Sequence, residues 1–368
     1  MKERTKNILG YGALLSGAIV LGSCIVAGAY SLCHESMDSM ADETRNKKFI
    51  QSETRYMEQL QISNNPHDVV AASLFLGFQD SGSQTKKPAN KRLAKQLKNA
   101  IAQSPDDPDI AWIEAMDCGF LEVACDSENA ITRLKRLEPK NLAVYLLAFD
   151  RADKAGDKAQ QKNELLAMAN SGYSDIHYFS TAELYYEALR GWHPPLPLSA
   201  ADIYGDDIDQ KPIADAELRK IVAAGISMAM GLPPINQLST HCKSGKLPAD
   251  ELLACQKIAS LMVRDKTLLM HSIGLRIGAA VFKQEPEATH WRRALRTYFW
   301  QLSGDHPNRG KQYSEREYFN VWPNIDELAQ QKQRLLHKGI PLTPPDTWMP
   351  ESEEIRKLLK APPQQNHN

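Results

Sequence analysis

Histidine and cysteine are the side chains of this sequence that could act as bases, nucleophiles or metal ligands. The ten histidines are scattered along the chain, and none belongs to a His-Glu-x-x-His zinc motif. A Gly-x-Ser-x-Gly nucleophile turn, a phosphate-binding loop and a dinucleotide fingerprint do not occur either. The sequence therefore assigns no catalytic residue, no metal ligand and no cofactor. An enzyme would have to assemble its site from distant residues, for example a carboxylate with two of His177, His193, His241 and His290.

The cysteines favour disulfide bonds over a metal or redox site. The four that follow the N-terminal region form two short-range pairs: Cys118 with Cys125, and Cys242 with Cys255. Neither pair has the Cys-x-x-Cys spacing of a zinc knuckle or a thioredoxin-like site. We therefore predict two structural disulfides, each of which closes a short loop.

An arginine-rich aromatic segment is the candidate for a protein interface. It combines large rings with guanidinium groups, the side chains that dominate binding energy at protein interfaces. The candidate interface residues are Trp291, Arg292, Arg296, Tyr298 and Trp300. The alternative is an amphipathic core helix whose outer face is basic.

The N-terminal region predicts a membrane anchor. Residues 8–33 contain no charged side chain, and about 20 helical residues cross the hydrocarbon core of a bilayer. Lys2, Arg4 and Lys6 precede this stretch, and acidic residues follow it. Since basic flanks stay in the cytoplasm, the sequence predicts a single-pass protein of the inner membrane with most of the chain on the periplasmic side.

Two alternatives to a retained anchor remain open for the same stretch. Ala27-Gly28-Ala29 has the small-x-small pattern of a signal-peptide cleavage site. Leu21-Gly22-Ser23-Cys24 resembles a bacterial lipobox, which would place a lipid on Cys24. Each alternative also exports the rest of the chain.

The overall charge excludes a general affinity for nucleic acid. Lysine and arginine number 44 and aspartate and glutamate 45, so no net field attracts phosphates. The densest basic run, Lys86 to Lys98, lacks interleaved aromatic residues and is typical of a solvated linker that enters a helix face. We expect no nucleic-acid partner.

Apolar residues at spacings of three and four, interrupted by proline and glycine, predict an all-α fold after the anchor. Thr267 is expected to cap one helix, in which Gly274 and Gly278 would let a neighbouring helix come close. The predicted divisions follow the chain in order: signal anchor 1–33, stalk 34–65, helical region 66–190, Pro/Asp-rich linker 191–212, C-terminal helical region 213–340 and Pro-rich tail 341–368.

One stretch resembles a known repeat family. The run from Pro139 to Asp157 is similar to the first helix and turn of a tetratricopeptide repeat, with Tyr145 at the aromatic position and Gly156-Asp157 at the turn. Trp112 occupies the aromatic position 33 residues earlier. The resemblance covers about residues 105–172 and implies an array of helical hairpins. Both units lack the leucine-glycine pair of the family.

These observations predict a membrane-anchored helical-repeat protein of the cell envelope that acts as an adaptor or scaffold for a protein or peptide partner. Stacked helical hairpins form extended concave surfaces that suit this role, a step that rests on analogy between folds. The alternatives are an exported enzyme with a dispersed site and a structural envelope protein without a separate ligand.

Overall fold

The computed structural model describes residues 40–81, 90–116, 126–199, 211–229, 232–303 and 326–360. Within these residues the chain forms fifteen α-helices, one 3-10 turn and no β-strand. The prediction of a helical body is therefore confirmed. The helices belong to two compact units, and one helix, α5 (Ser127–Leu137), contributes its first half to one unit and its second half to the other.

The transmembrane part of the predicted fold class is corrected by the structure. No helix in the described parts of the chain is both long and apolar enough to cross a membrane. The 21-residue helix α1 (Met40–Leu60) carries charged residues such as Lys47, Lys48 and Arg55. The most apolar long helix has only 14 residues and measures about 21 Å, short of the roughly 30 Å of a hydrocarbon core. The predicted single-pass localisation in the inner membrane is likewise not supported. Residues 8–33, on which both predictions rest, lie outside the described residues.

The first unit is organised around helix α2. The residues from Val70 to Phe75 are almost completely buried, and α2 packs against α1, α3 and α8. A helix that is apolar on all sides is stable only when neighbours surround it. The helices of this unit besides the first half of α5 are α1 (Met40–Leu60), α2 (Pro66–Ser81), α3 (Asn90–Gln103), α4 (Pro108–Met116), α8 (Tyr178–Ala188) with its 3-10 turn (Leu189–Gly191), and α9 (Asp215–Ala229).

The second unit begins with a helical hairpin and continues through the C-terminal helices. Helices α6 and α7 pack along each other and form this hairpin. Helix α11 packs on both α7 and α12, and α13 packs on α12. Besides the second half of α5, its helices are α6 (Leu142–Ala155), α7 (Lys158–Ala169), α10 (Ile235–Cys242), α11 (Ala249–Met262), α12 (Leu268–Val281), α13 (Glu287–Leu302), α14 (Glu327–His337) and α15 (Glu353–Leu359).

Helix α12 shows how the sequence directs this packing. The Thr267 side chain accepts a hydrogen bond from the Met270 N–H and caps the helix, as the sequence predicts. Gly278 lies directly under the Trp291 ring of α13, where an added Cβ would fall 2.0 Å from a ring carbon. The absence of a side chain at Gly278 is what allows the two helices to approach.

The two units do not follow the chain order. Residues 177–199 and 211–229 join the unit that contains α1 to α4, and residues 134–176 join the unit that contains α10 to α15. The predicted tail 341–368 contains the helix α15. The divisions predicted from the sequence remain predictions.

We expect Gly278→Ala to lower the free energy of unfolding by about 1–3 kcal/mol, because the new methyl group displaces the Trp291 ring. In an unconstrained helix the same change would be stabilising. Urea unfolding followed by far-UV circular dichroism measures the effect. Gly172→Ala is the matched control, since its Cβ would meet Lys140 at an ordinary 3.6 Å. Equal stabilities of the two variants would contradict the expected steric conflict.

Candidate functional site

The candidate site lies in the first unit, where α1 docks on the 3-10 turn after α8. The Tyr56 hydroxyl donates to the Ala188 carbonyl at 3.0 Å and accepts the Gly191 N–H at 3.2 Å. A Cβ at Gly191 would lie 2.9 Å from the same hydroxyl oxygen, so a larger residue at this position would force the Tyr56 hydroxyl to shift. One tyrosine therefore fixes the helix to the turn.

Trp192 completes this attachment. Its ring meets Phe49 edge-on with centroids 5.1 Å apart, and its indole N–H donates to the Ser52 hydroxyl at 3.4 Å. The side chain is almost fully buried, and Arg219 of α9 donates to the Trp192 carbonyl at 3.1 Å. Side chain and main chain of Trp192 thus link α1 to α9.

Between α1 and the segment that follows Trp192 lies an open groove with a volume of about 490 Å³. Helix α1 contributes polar and basic side chains, including Lys48, Ser52 and Arg55. The opposite wall contributes Pro195 and Leu196 beside Trp192 and His193. A groove with an apolar wall and a few polar groups is typical of sites that bind an extended chain or a small molecule.

The described residues that line the groove carry charge of one sign. Lys48 and Arg55 are exposed, and none of these described lining side chains is acidic. His193 is 77% exposed, and its Nδ1 lies 3.1 Å from an Asp215 carboxylate oxygen outside the lining. The arrangement favours an anionic ligand, which the two cations can attract before contact.

A buried carboxyl lies on the same helix. Glu53 is 3% exposed, and its Oε1 atom makes no hydrogen bond. Burial raises the pKa of Glu53 from 4.5 to about 8, because the charged form loses its hydration. The carboxyl is therefore mainly protonated at neutral pH, and the docking of α1 is coupled to that proton.

A second polar cluster in the first unit surrounds His177. This residue has a left-handed backbone (φ 55°) at the start of α8, and its ring stacks on Trp112 with centroids 4.8 Å apart. Its Nδ1 lies 2.7 Å from Asp109 Oδ1, and the Ser180 hydroxyl donates to the same oxygen at 2.5 Å. The cluster joins α4 to α8.

The residue types of this cluster are those of a serine hydrolase, but the geometry is different. In a catalytic triad the serine and the aspartate contact opposite nitrogens of the histidine, whereas here Ser180 and His177 converge on one Asp109 oxygen. Burial raises the pKa of Asp109, but the hydrogen bonds from His177 and Ser180 and the charges of His177 and His67 outweigh it and hold the pKa below its usual value. The cluster is a structural network.

Two other histidines of the enzyme hypothesis, His193 and His241, pair with separate carboxylates, and His290 meets the Trp291 ring edge-on. His241 of the second unit lies 2.9 Å from a Glu251 oxygen and meets the Phe149 ring edge-on. Of the four histidines in that hypothesis, His193 is the one that lines the groove. Within the described residues, no three His, Cys, Asp or Glu side chains group in a way that could hold a metal ion. The enzyme alternative remains a prediction.

One of the two predicted disulfide bonds is confirmed. Cys242 at the end of α10 and Cys255 in α11 form a disulfide with Cα atoms 5.7 Å apart. The bond joins two helices of the second unit. Cys118 and Cys125 lie outside the described residues, so their predicted pairing is not tested.

The candidate interface residues lie on α13, and their side chains make contacts within the second unit. Trp291 stacks on Phe282 at 5.1 Å, and Arg292 pairs with Glu285 at 2.8 Å. The other three donate hydrogen bonds to main-chain carbonyls of the same unit: Tyr298 to Leu268, and Arg296 and Trp300 to residues of the C-terminal segment. Their role in an interface remains a prediction.

Sequence reasoning missed the groove because both of its walls lie in segments interpreted as connections. Residues 48–59 fall in the predicted stalk, and residues 192–196 fall in the predicted linker. The available signal was the spacing of Phe49, Tyr56 and Met57, which places aromatic and apolar groups on one side of α1. Trp192 beside a proline cluster was the second signal.

Comparison with known proteins identifies no relative. No protein-family model matches the chain, and no curated protein or solved structure shows significant similarity to it.

We expect Glu53→Gln to remove a pH dependence of folding. Between pH 4.5 and about 8 the folded state keeps the Glu53 proton that the unfolded state releases, so stability falls as pH rises, by up to about 1.4 kcal/mol per pH unit. The variant has no such proton and gains stability over the parent protein as pH increases. Urea unfolding at several pH values measures this difference. Glu58→Gln, an exposed position on α1, is the control, and parallel profiles for all three proteins would refute the assignment.

Proposed function

We propose that this chain is a helical binding protein that holds an extended acidic segment of a partner protein in the groove beside α1. The observation that carries the proposal is the groove itself, in which Lys48 and Arg55 face an apolar wall formed by Trp192, Pro195 and Leu196. Cations attract the acidic side chains of the ligand, and the apolar wall provides the contact area that charges alone do not supply.

The form of the groove supports a peptide as the ligand. It is open to solvent along one side, so a chain can enter laterally, and its indole-bearing wall is rigid because Trp192 is held by Phe49 and Ser52. A preformed wall lowers the entropy lost on binding. A phosphate-bearing small molecule shares the charge complementarity but would leave the apolar wall unused.

The helical hairpin α6–α7 supports a related proposal, that this region is a degenerate tetratricopeptide-like repeat. Tyr145 donates to the Pro139 carbonyl at 2.8 Å, Gly156 has the left-handed conformation (φ 71°) of a helix end, and Asp157 caps α7 through the Gln160 N–H. These features stabilise a tight turn between two helices. Repeats of this kind commonly bind peptides, which agrees with the proposed function by analogy.

The charge reversals Lys48→Glu and Arg55→Glu, made together, test the groove. We expect the double variant to bind a short synthetic peptide of Asp, Glu and Pro at least about tenfold more weakly than the parent protein, because repulsion replaces attraction. Binding by the parent protein should also weaken as salt increases. Fluorescence anisotropy of the labelled peptide gives both affinities.

The control reverses two exposed cations of the same unit that lie outside the groove, Lys95→Glu and Lys98→Glu. This pair changes the net charge equally, so a non-specific effect of charge would weaken both double variants to the same extent. Equal affinities of the two double variants, or failure of the parent protein to bind the peptide at low salt, would refute the proposed function.

A further inference from the structure

The C-terminal segment of the second unit lies on α13 as an extended chain. Residues 340–352 contain no helix, and the segment includes four prolines: Pro341, Pro344, Pro345 and Pro350. Proline has no N–H group and favours extended backbone. Such a segment therefore presents more carbonyl oxygens than N–H groups, and donors on a neighbouring surface can bind the excess carbonyls.

Helix α13 supplies such donors near its C-terminal end. The Trp300 indole N–H donates to the Pro341 carbonyl at 2.7 Å, and the Gln301 side-chain amide donates to the Leu342 carbonyl at 3.0 Å. Both acceptors belong to the main chain. These contacts fix the start of the segment without selecting its side chains.

Arg296 binds the end of the same segment. Its Nε and Nη2 groups donate to the Trp348 carbonyl at 3.0 and 2.9 Å. Nη2 also donates to the Asp346 carbonyl at 3.0 Å and to the Pro345 carbonyl. One guanidinium thus meets three carbonyl acceptors within four residues of the segment, a use of its fork-like geometry that lysine could not reproduce.

Aromatic packing accompanies the hydrogen bonds. The Trp348 ring meets the Trp300 ring edge-on with centroids 5.4 Å apart, and Trp300 forms a buried cluster with Leu335 and Ile340. Aromatic side chains that pack on the ligand while an indole N–H reaches its carbonyl are the usual means of binding proline-rich peptides.

A charged contact anchors the segment at its far end. Glu354 in α15 accepts a hydrogen bond from Arg276 of α12 at 2.6 Å, and Lys243 Nζ lies 3.5 Å from the same oxygen. Helix α15 has only seven residues, too few to be stable without such contacts. The neighbouring Glu353 pairs instead with Lys357 of its own helix, and both of those side chains are more than 70% exposed.

We propose that the surface of α13 is a binding site for proline-rich segments and that residues 340–354 occupy it as an internal ligand. The site accepts a proline-rich, tryptophan-containing segment of a partner protein when the chain's own segment is released. The donors contact main-chain carbonyls, which a foreign segment also offers, while Glu354 holds the internal ligand in place. A tethered ligand has a high effective concentration, so the site is closed until that anchor is weakened. This surface is independent of the groove beside α1.

The test uses the full chain and a labelled synthetic peptide with the sequence of residues 340–351. Glu354→Lys removes the anchor and places like charges beside Arg276 and Lys243, whereas Glu353→Lys makes the same charge change on the same helix without touching that pair. We expect Glu354→Lys to bind the peptide at least about tenfold more tightly than Glu353→Lys, because the competing internal ligand is released. Adding Arg296→Ala to Glu354→Lys should reduce the affinity at least about tenfold.

Several outcomes would overturn the proposal. Equal affinities of Glu354→Lys and Glu353→Lys would show that the segment is not a competitor, and unchanged affinity after Arg296→Ala would show that the peptide binds elsewhere. Equal binding of a peptide with alanine in place of proline would remove the proline-rich ligand class. A stable dimer of Glu354→Lys would assign the site to the segment of a second copy and exclude a foreign partner.

Hydrogen exchange of the unaltered protein gives a measurement that does not depend on how the variants fold. Saturating peptide should displace the internal segment and increase amide exchange in α15 at least about threefold over the rate without peptide. Unchanged exchange in α15 at saturation would contradict an exchangeable internal ligand.

Discussion

The attachment of α1 to the turn at residues 188–192 is the constraint on which the groove of the first unit depends. Tyr56 is held between the Ala188 carbonyl and the Gly191 N–H, and Trp192 packs on Phe49 of the same helix. One face of α1 therefore makes the attachment, and the adjacent face, with Lys48 and Arg55, lines the groove. Without the attachment the basic wall would have nothing opposite it.

The buried face of the same helix contains a destabilising side chain, Glu53. Glu53 is enclosed without a partner for Oε1, and a buried carboxyl of this kind is tolerated because it binds a proton. Structural elements that take part in binding often have low local stability. A buried polar group lowers the local stability of the helix that carries it. The Asp109 network differs, since its partly buried carboxylate receives hydrogen bonds from His177 and Ser180.

The two proposed binding surfaces, one in each unit, would recognise different properties of a ligand. The groove beside α1 presents charged side chains, which would discriminate by the charge of the ligand. Helix α13 presents donors to main-chain carbonyls, which would discriminate by backbone geometry and tolerate many side chains. Of the α13 residues singled out in the sequence, Arg296 and Trp300 donate hydrogen bonds to an extended segment of the same chain.

Local features of the fold could be predicted, and long-range ones could not. The Thr267 cap, the close approach at Gly278 and the Cys242–Cys255 bond follow from spacing within a few residues or one short loop. The groove depends on the contact between Tyr56 and Gly191, which lie 135 positions apart in the sequence. The spacing of apolar residues within one segment does not predict a contact between residues so far apart. The hydrophobic run at residues 8–33 led to a transmembrane expectation that the described helices do not support.

The sequence by itself determined that the body of the chain is helical, because apolar spacing, capping residues and proline breaks act within single helices. It also determined which cysteines lie close enough in the chain for a short disulfide loop. Only the tertiary structure decided that a predicted stalk and a predicted linker meet as the two walls of a groove, and that a proline-rich tail covers α13. The physical reason is that these contacts pair hydrogen-bond donors and apolar surfaces that come together only when the chain folds. The local sequence pattern of a segment does not specify which distant segment it will contact.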